Sequence, residues 1–240
     1  MHLVLDIGNT RTKLGLFQEN LLVEQANWIH WSFNDLLAYG QAAGVDRLLI
    51  CSVATPDPDL ILQISDAFQI VELTHLTPLP FQNQYTTPQT LGKDRLAGVA
   101  GAQALFPSEN CLVIDCGTCI KYDFIDQNNI YHGGNIAPGA QMRIQAMHHF
   151  TARLPEVPMQ LPDQFIGFNT ESALQNGALR GAQLEIEGFM RLFAKKTGPL
   201  RSIITGGDAP FFLQALQNND LIHEPNLTLI GLNAILTFQS

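Results

Sequence analysis

Positive charge is scarce in this chain. Lys and Arg total 13 against 22 Asp and Glu, a net charge of −9 over 240 residues. That balance lacks the basic footprint of a nucleic-acid binder, and no polybasic run suits an anionic membrane. An anionic ligand must be met by a few well-placed cations, by backbone N–H groups or by a metal ion. Long apolar runs are missing too, and no stretch reaches the length of a membrane span. The apolar start, Leu3-Val4-Leu5, is broken at once by Asp6, Gly8, Asn9 and Arg11, and no basic region precedes it, so no signal peptide is expected. The usual nucleotide signatures G-x-x-x-x-G-K-[ST] and G-x-G-x-x-G after a strand are absent, as are protein-kinase motifs. Four cysteines make no disulfide scaffold at this length, and reduced thiols in a cytoplasmic protein are expected. Cys111, Cys116 and Cys119 spell C-x4-C-x2-C, the opening of an iron–sulfur pattern, but no fourth cysteine follows. Cys116 and Cys119 also form a C-x-x-C. A redox motif of that kind opens a helix, whereas 120–125 reads as a strand. These cysteines are therefore taken as small residues in and around a buried strand.

What is present supports a sizeable core. Hydrophobic residues make up 46% and charged ones 15%, and the length suits two compact domains. The N-terminus reads as strand, turn, strand. Apolar Leu3-Val4-Leu5 leads into turn chemistry at Asp6-Ile7-Gly8-Asn9-Thr10, then a strand over 13–17 and a third over 21–28. Ser32 is placed to cap a helix carrying Leu36, Leu37 and Ala38. A buried strand at 48–53 comes next, then a helix opened by Asp57, Pro58 and Asp59 and a strand at 69–73. A turn-rich stretch over 77–90 leads to a helix over 93–105. After Pro107 the pattern restarts: Leu112-Val113-Ile114-Asp115-Cys116-Gly117-Thr118 matches Leu3-Val4-Leu5-Asp6-Ile7-Gly8-Asn9 in its apolar, acidic and glycine positions. A strand and a polar turn come after each copy, which marks an internal duplication. The second half continues with a glycine-rich turn at 133–139, a helix at 140–147 and a Pro-rich loop at 154–162. A long helix over 170–196, a strand at 202–205, another helix and a last helix at 231–238 complete it. Two mixed α/β domains of similar build, 1–108 and 109–240, with a cleft between them, are expected.

The chemistry is concentrated in four motifs. Asp6-Ile7-Gly8-Asn9-Thr10 and Asp115-Cys116-Gly117-Thr118 each put a carboxylate at a strand end beside a glycine that lets backbone N–H groups approach phosphate. Such an Asp can hold a hydrated Mg²⁺ that bridges phosphate oxygens. One copy alone reads as an ordinary hairpin turn; two in matching context read as a nucleotide clamp. Leu91-Gly92-Lys93-Asp94-Arg95, preceded by Tyr85 and Pro88, opens a helix. Asp94 there either complements the helix dipole or accepts a hydroxyl proton, and Arg95 suits a substrate carboxylate. Gly133-Gly134-Asn135-Ile136-Ala137-Pro138-Gly139 is a glycine-rich turn entering a helix, fit for phosphate or for close packing, and Thr205-Gly206-Gly207-Asp208, at a strand end before a helix, suits an adenosine or phosphate edge. His148 and His149 suit a helix C-terminus, and Trp28, Trp31, Met142 and Met147 are expected as packing residues.

Taken in order, these motifs, with Asn169-Thr170 before a helix, resemble type III pantothenate kinase over nearly the whole chain. The resemblance implies two duplicated ribonuclease-H-like domains of the actin-like ATPase fold. It implies ATP-dependent phosphorylation of pantothenate, the first step of coenzyme A synthesis, by a cytoplasmic homodimer needing Mg²⁺ and a monovalent cation, K⁺ or NH4⁺. On that resemblance Asp94 is the proton acceptor. Asp6, Ile7, Gly8, Asn9, Thr10, Arg11, Thr12 and Lys13 form the ATP phosphate loop, Asp6 reaching Mg²⁺ through water, and Thr118 contacts ATP. Tyr85, Gly92, Lys93, Asp94 and Arg95 contact pantothenate, joined by Thr170, from the partner subunit. Asp115 holds the monovalent cation. The second loop departs from the family, which usually carries Ala and Thr where this chain has Cys119 and Lys121. Either the Lys121 ammonium partly replaces the cation or the side chain faces solvent from its strand; the latter is the expectation. Alternative readings are another small-molecule kinase of the same superfamily and a non-catalytic regulatory member of the family.

Overall fold

A computed structural model describes residues 1–8, 11–52, 58–216 and 221–239. The chain divides into two compact units: residues 1–108, 128–132 and 226–240 form unit 1, and 109–127 and 133–225 form unit 2.

Unit 1 begins with the antiparallel strands β1 (His2–Ile7), β2 (Thr12–Gln18) and β3 (Leu21–Trp28). Helix α1 (Phe33–Ala42) starts at Ser32, whose hydroxyl accepts from the Asp35 N–H while the Asp35 carboxylate accepts from the Ser32 N–H. This reciprocal cap satisfies two backbone donors, and the Ser32 hydroxyl, then its N–H, donating to the carboxylate hold the Asp35 carboxyl below its ordinary range. Then come β4 (Arg47–Ser52), α2 (Pro58–Ala67), β5 (Gln69–Glu72), the short β6 (Gln82–Asn83) and α3 (Lys93–Leu105). The sheet order is β3-β2-β1-β4-β5, with β4 parallel to both β1 and β5. Leu3-Val4-Leu5 and Leu48-Leu49-Ile50 are unbroken apolar runs because this sheet is covered on both faces. Leu3, Leu5, Leu48 and Ile50 pack with Leu36 of α1 and Ile64 of α2.

Unit 2 repeats the plan. It holds β7 (Cys111–Cys116), β8 (Cys119–Ile125) and β9 (Ile130–Pro138), whose first three residues cluster with unit 1, where β9 pairs with β6. Next are α4 (Ala140–His149), α5 (Thr170–Gln175), a π-helical turn (Asn176–Arg180) and α6 (Gly181–Thr197). The strand β10 (Arg201–Thr205), α7 (Ala209–Leu216) and β11 (Leu221–His223) come next, and α8 (Leu227–Phe238) ends the chain. Reading from β9, the order β9-β8-β7-β10-β11 reproduces β3-β2-β1-β4-β5 element for element, so the duplication is one of topology as well as motif. Both copies clamp the start of their first strand to the start of their fourth. The N-terminal ammonium meets Asp46 Oδ1 at 2.9 Å, and Arg201 meets Glu109 at 2.8 Å.

Three expectations change. The sequence places everything after 108 in one domain, yet α8 clusters with unit 1. It buries five Leu and Ile side chains there, each worth about 1.5–3 kcal/mol relative to exposure. Its contact with α3 is backbone to backbone, since a Cβ on Gly231 would lie 1.7 Å from the Ala97 carbonyl oxygen. The glycine-rich segment 133–139 is no turn: 133–138 is the rest of β9 and Gly139 the N-cap of α4, with Gly133 at φ +97° and Gly134 pressed against the Tyr122 carbonyl of β8. Met142 is exposed instead of buried in the core, while Met147 packs against it. No helix of the described residues is long and apolar enough to cross a membrane.

Candidate active site

In unit 1 the β1–β2 hairpin carries Asp6 opposite Lys13 and Ile7 opposite Thr12, closed by the Gly8 N–H donating to the Arg11 carbonyl at 3.1 Å. On the other side Asp6 sits beside Cys51 in the parallel register of β4. The helix α3 brings Lys93 and Asp94 to the same place. Burial, then the carboxylates of Asp6 and Asp94, push the Cys51 thiol up, and Lys93 opposes them. Cys51 therefore stays a neutral thiol, within electrostatic reach of Asp6 from the first hairpin and of Lys93 and Asp94 from α3. Lys93 Nζ also lies 3.9 Å from Glu72 Oε1 at the end of β5.

Gly92 makes room for the side chain of Asp94. A Cβ at Gly92 would fall 2.5 Å from Asp94 Oδ1, so the glycine lets the carboxylate fold back over the start of α3. That oxygen accepts from the Arg95 N–H at 2.9 Å. The Arg95 guanidinium is buried and lies 5.3 Å from the centre of the Tyr85 ring. Tyr85 in turn stacks on the fully buried Tyr131 at 6.3 Å, with Phe81 edge-on beneath. Sequence reasoning missed Tyr131 and Phe81, because a strand aromatic on its own carries no signal of its neighbour.

The expected ATP residues fare unequally. Asp6, Ile7 and Lys13 are half-buried, Gly8 and Arg11 are exposed, and Asn9 and Thr10 lie outside the described residues. Thr12 is buried, and its hydroxyl accepts from Trp31 Nε1 at 2.9 Å, so its side chain serves the hairpin's own framework. Trp31 thus anchors the hairpin as well as packing against Trp28.

In unit 2 the β7–β8 hairpin carries Asp115 opposite Lys121 and, through β10, beside Thr205. Lys121 does not face solvent: its Nζ lies 2.6 Å from Asp115 Oδ2. Thr118 stands exposed at the tip. Two glycines pack against this hairpin. A Cβ on Gly139 would meet the Gly117 and Thr118 carbonyl oxygens at 2.1 and 2.5 Å, and the Gly139 N–H donates to the Thr118 carbonyl. Gly206, at φ +94°, would put a Cβ 2.5 Å from Asp115 Oδ1. The Asp208 N–H donates to the Cys116 carbonyl at 2.9 Å, and burial raises the Asp208 carboxyl. Burial first, then Asp115 and Asp208, push the Cys116 thiol up, which makes it a poor redox or metal group. Behind the hairpin, Glu185 accepts from Tyr122 and Arg143, and Arg143 also donates to the Pro138 carbonyl.

Thr170 belongs to unit 2, exposed in the first turn of α5 after the Asn169 cap. The neighbouring Asn169, Glu171 and Ser172 line a cavity of about 440 Å³ with Phe168 and Gln175. Among the described residues no three His, Cys, Asp or Glu side chains gather as a metal cage.

Two copies of one sheet plan, each with an aspartate next to last in its first hairpin strand, define the duplicated ribonuclease-H-like architecture of the actin-like ATPase class, to which many small-molecule kinases belong. Solved structures agree on the fold. A conserved Baf family protein from Campylobacter jejuni superposes with a TM-score of 0.63 at 21% identity, covering 99% of this chain and 98% of that one. A ROK family protein from Streptococcus pneumoniae TIGR4 gives 0.55 at 11% identity, covering 99% and 98%. The family model for type III pantothenate kinase matches residues 2–192. Type III pantothenate kinases of Phocaeicola vulgatus and Christiangramia forsetii are 40% and 38% identical, each over 99% of this chain and 98% of the relative. The chain belongs to the type III pantothenate kinase family.

Proposed function

We infer that this chain phosphorylates pantothenate with ATP, the entry step to coenzyme A, and that Asp94 handles the acceptor hydroxyl. The reaction moves the γ-phosphoryl of ATP in line onto a primary alcohol, whose proton passes to the Asp94 carboxylate. The observation that carries this role is the placement of Asp94. Its carboxylate folds over Gly92 at the head of α3 while its charge reaches Cys51 together with that of Asp6. Asp94 and Asp6 thus lie within electrostatic reach of the same thiol, which supports a proton acceptor working near the proposed phosphate loop. Catalysis of this kind is positioning plus electrostatics, with little covalent work for the protein. Mg²⁺, when bound with the nucleotide, supplies charge neutralisation at the phosphates. Lys13 and the backbone of the 6–13 hairpin supply further positive potential there. Arg95, steadied on the Tyr85–Tyr131 stack, suits the pantothenate carboxylate, and Lys93 stands next to it.

The assembly proposed is a cytoplasmic homodimer in which Thr170 of one protomer reaches the pantothenate site of the other. Apolar side chains left exposed along α6 and the loop before α5, among them Leu184, Leu192, Phe165 and Phe168, support a protein-covered face. Light scattering on the purified protein tests this, and a monomer at working concentration refutes it.

Asp94→Asn tests the chemistry. It keeps the fold and ATP binding and lowers kcat by about 10²–10⁴-fold. Near-normal turnover in that variant rules out the proton-acceptor role, and ADP release indifferent to pantothenate rules out the substrate.

A further inference from the structure

The family resemblance assigns a monovalent cation to Asp115, and the residues present do not fit one. Asp115 and Lys121 are direct cross-strand partners in β7 and β8, so their side chains leave the same face of the sheet side by side. The ammonium sits 2.6 Å from Oδ2, with the two side chains only 19% and 26% exposed. The other oxygen, Oδ1, has the backbone of Gly206 against it, close enough that a Cβ there would lie 2.5 Å away. One carboxylate oxygen is thus taken by a positive charge and the other is roofed by main chain. A second monovalent cation would have to enter next to the ammonium, against the repulsion of like charges in a partly desolvated place.

We infer that Lys121 is this chain's own monovalent cation, a tethered ammonium that neutralises Asp115 and makes the enzyme independent of K⁺ or NH4⁺. The inference rests on the reading that the second hairpin faces the nucleotide phosphates. A lysine head group is chemically apt. It is a compact unit charge with three donors, one of which meets Asp115. Being covalently attached, it occupies the position without competing for an ion from solution. The register makes the arrangement an inherent property of the hairpin, because no loop has to close to bring the two groups together.

The test is a comparison of the wild-type protein and Lys121→Met across cations, by turnover and by thermal melting. Wild type is expected to turn over within about twofold in K⁺, NH4⁺ or tetramethylammonium buffer, and K⁺ leaves its Tm unchanged. Lys121→Met is expected to lose about tenfold or more in tetramethylammonium, to recover with K⁺ or NH4⁺, and to gain a saturable rise in Tm with K⁺. A wild-type enzyme that needs K⁺ and melts higher as K⁺ saturates overturns the inference without any variant, so it stays testable if Lys121→Met fails to fold. A folded Lys121→Met that ignores K⁺ overturns it as well. Melting with ADP separates the two layers. If ADP fails to raise the wild-type Tm, the nucleotide reading falls and takes the inference with it. If ADP raises it and K⁺ is required, only the inference falls.

Discussion

The two units build one hairpin and finish it differently. Asp6 stands opposite Lys13 in unit 1, and Asp115 stands opposite Lys121 in unit 2. In unit 2 the lysine closes on its carboxylate at 2.6 Å, whereas Lys13 makes no ion pair with a described residue. The segment between paired positions is one residue longer in unit 1, 8–11 against 117–119, which changes how each hairpin ends. The strand beside each aspartate differs as well, Cys51 in one and Thr205 in the other. Duplication has kept the scaffold that presents a strand-end carboxylate and let the neighbours decide its use. One copy leaves its lysine outside any ion pair with a described residue, where the proposed phosphate loop would use it; the other uses its lysine on its own carboxylate.

The sharpest way to break this comparison is to neutralise each aspartate. Asp6→Asn is expected to lower kcat by about 10²-fold or more with the fold intact, and Asp115→Asn by clearly less; steady-state kinetics with circular dichroism as control decides. Equal losses would erase the difference between the hairpins. Next in size is Gly139→Ala, which drives a Cβ into the Gly117 and Thr118 carbonyls and is expected to destabilise by about 3 kcal/mol. Gly117→Ala meets nothing within 4 Å and stays within about 1 kcal/mol in the same urea titration. In the other hairpin, Thr12→Val strands the Trp31 indole N–H and loses about 1–2 kcal/mol, read by chemical denaturation.

The smallest effects lie at the far ends of the sheets, in the exposed clamps. Asp46→Asn and Arg201→Met each lose less than about 1 kcal/mol, and less still in high salt. The N-terminal ammonium holds the Asp46 carboxyl below its ordinary value of 3.8. Its contribution is therefore complete above that value and disappears as pH falls through the lowered folded one. Melting from pH 6 to pH 2 shows it, and a wild-type minus Asp46→Asn difference that persists in acid contradicts the ion pair.

Much of the architecture was legible in the sequence. Periodicity and caps located α1, α3 and the 170–196 helix, since Ser32, Gly92 and Asn169 are local signals read by local chemistry. The repeated Asp–Gly motif exposed the duplication. The segment 133–139 misled because glycine serves two purposes, turning a chain and letting strands approach, and only the Tyr122 carbonyl opposite Gly134 distinguishes them. The place of α8 was hidden, because order along the chain says nothing of which core an apolar helix joins. Arg95 was legible as a site residue, but its aromatic support by Tyr131 depends on a residue some forty positions away that no local pattern links to it. Lys121 was the same kind of miss: its partner is set by strand register, which spacing alone left open.

The π-helical turn between α5 and α6 has a geometric role of its own. Among the core-facing residues, Leu174, Ala178, Ala182 and Ile186 recur at intervals of four, with Leu179 buried beside them. In an ideal α-helix each such step overshoots by about 40°, so three of them carry a side chain roughly a third of the way round the axis. The wide turn at Asn176–Arg180 takes in one extra residue and winds that overshoot back. A helix of this length can then keep one straight seam against a sheet without supercoiling, and deleting a single residue there would turn every side chain beyond it away from the core.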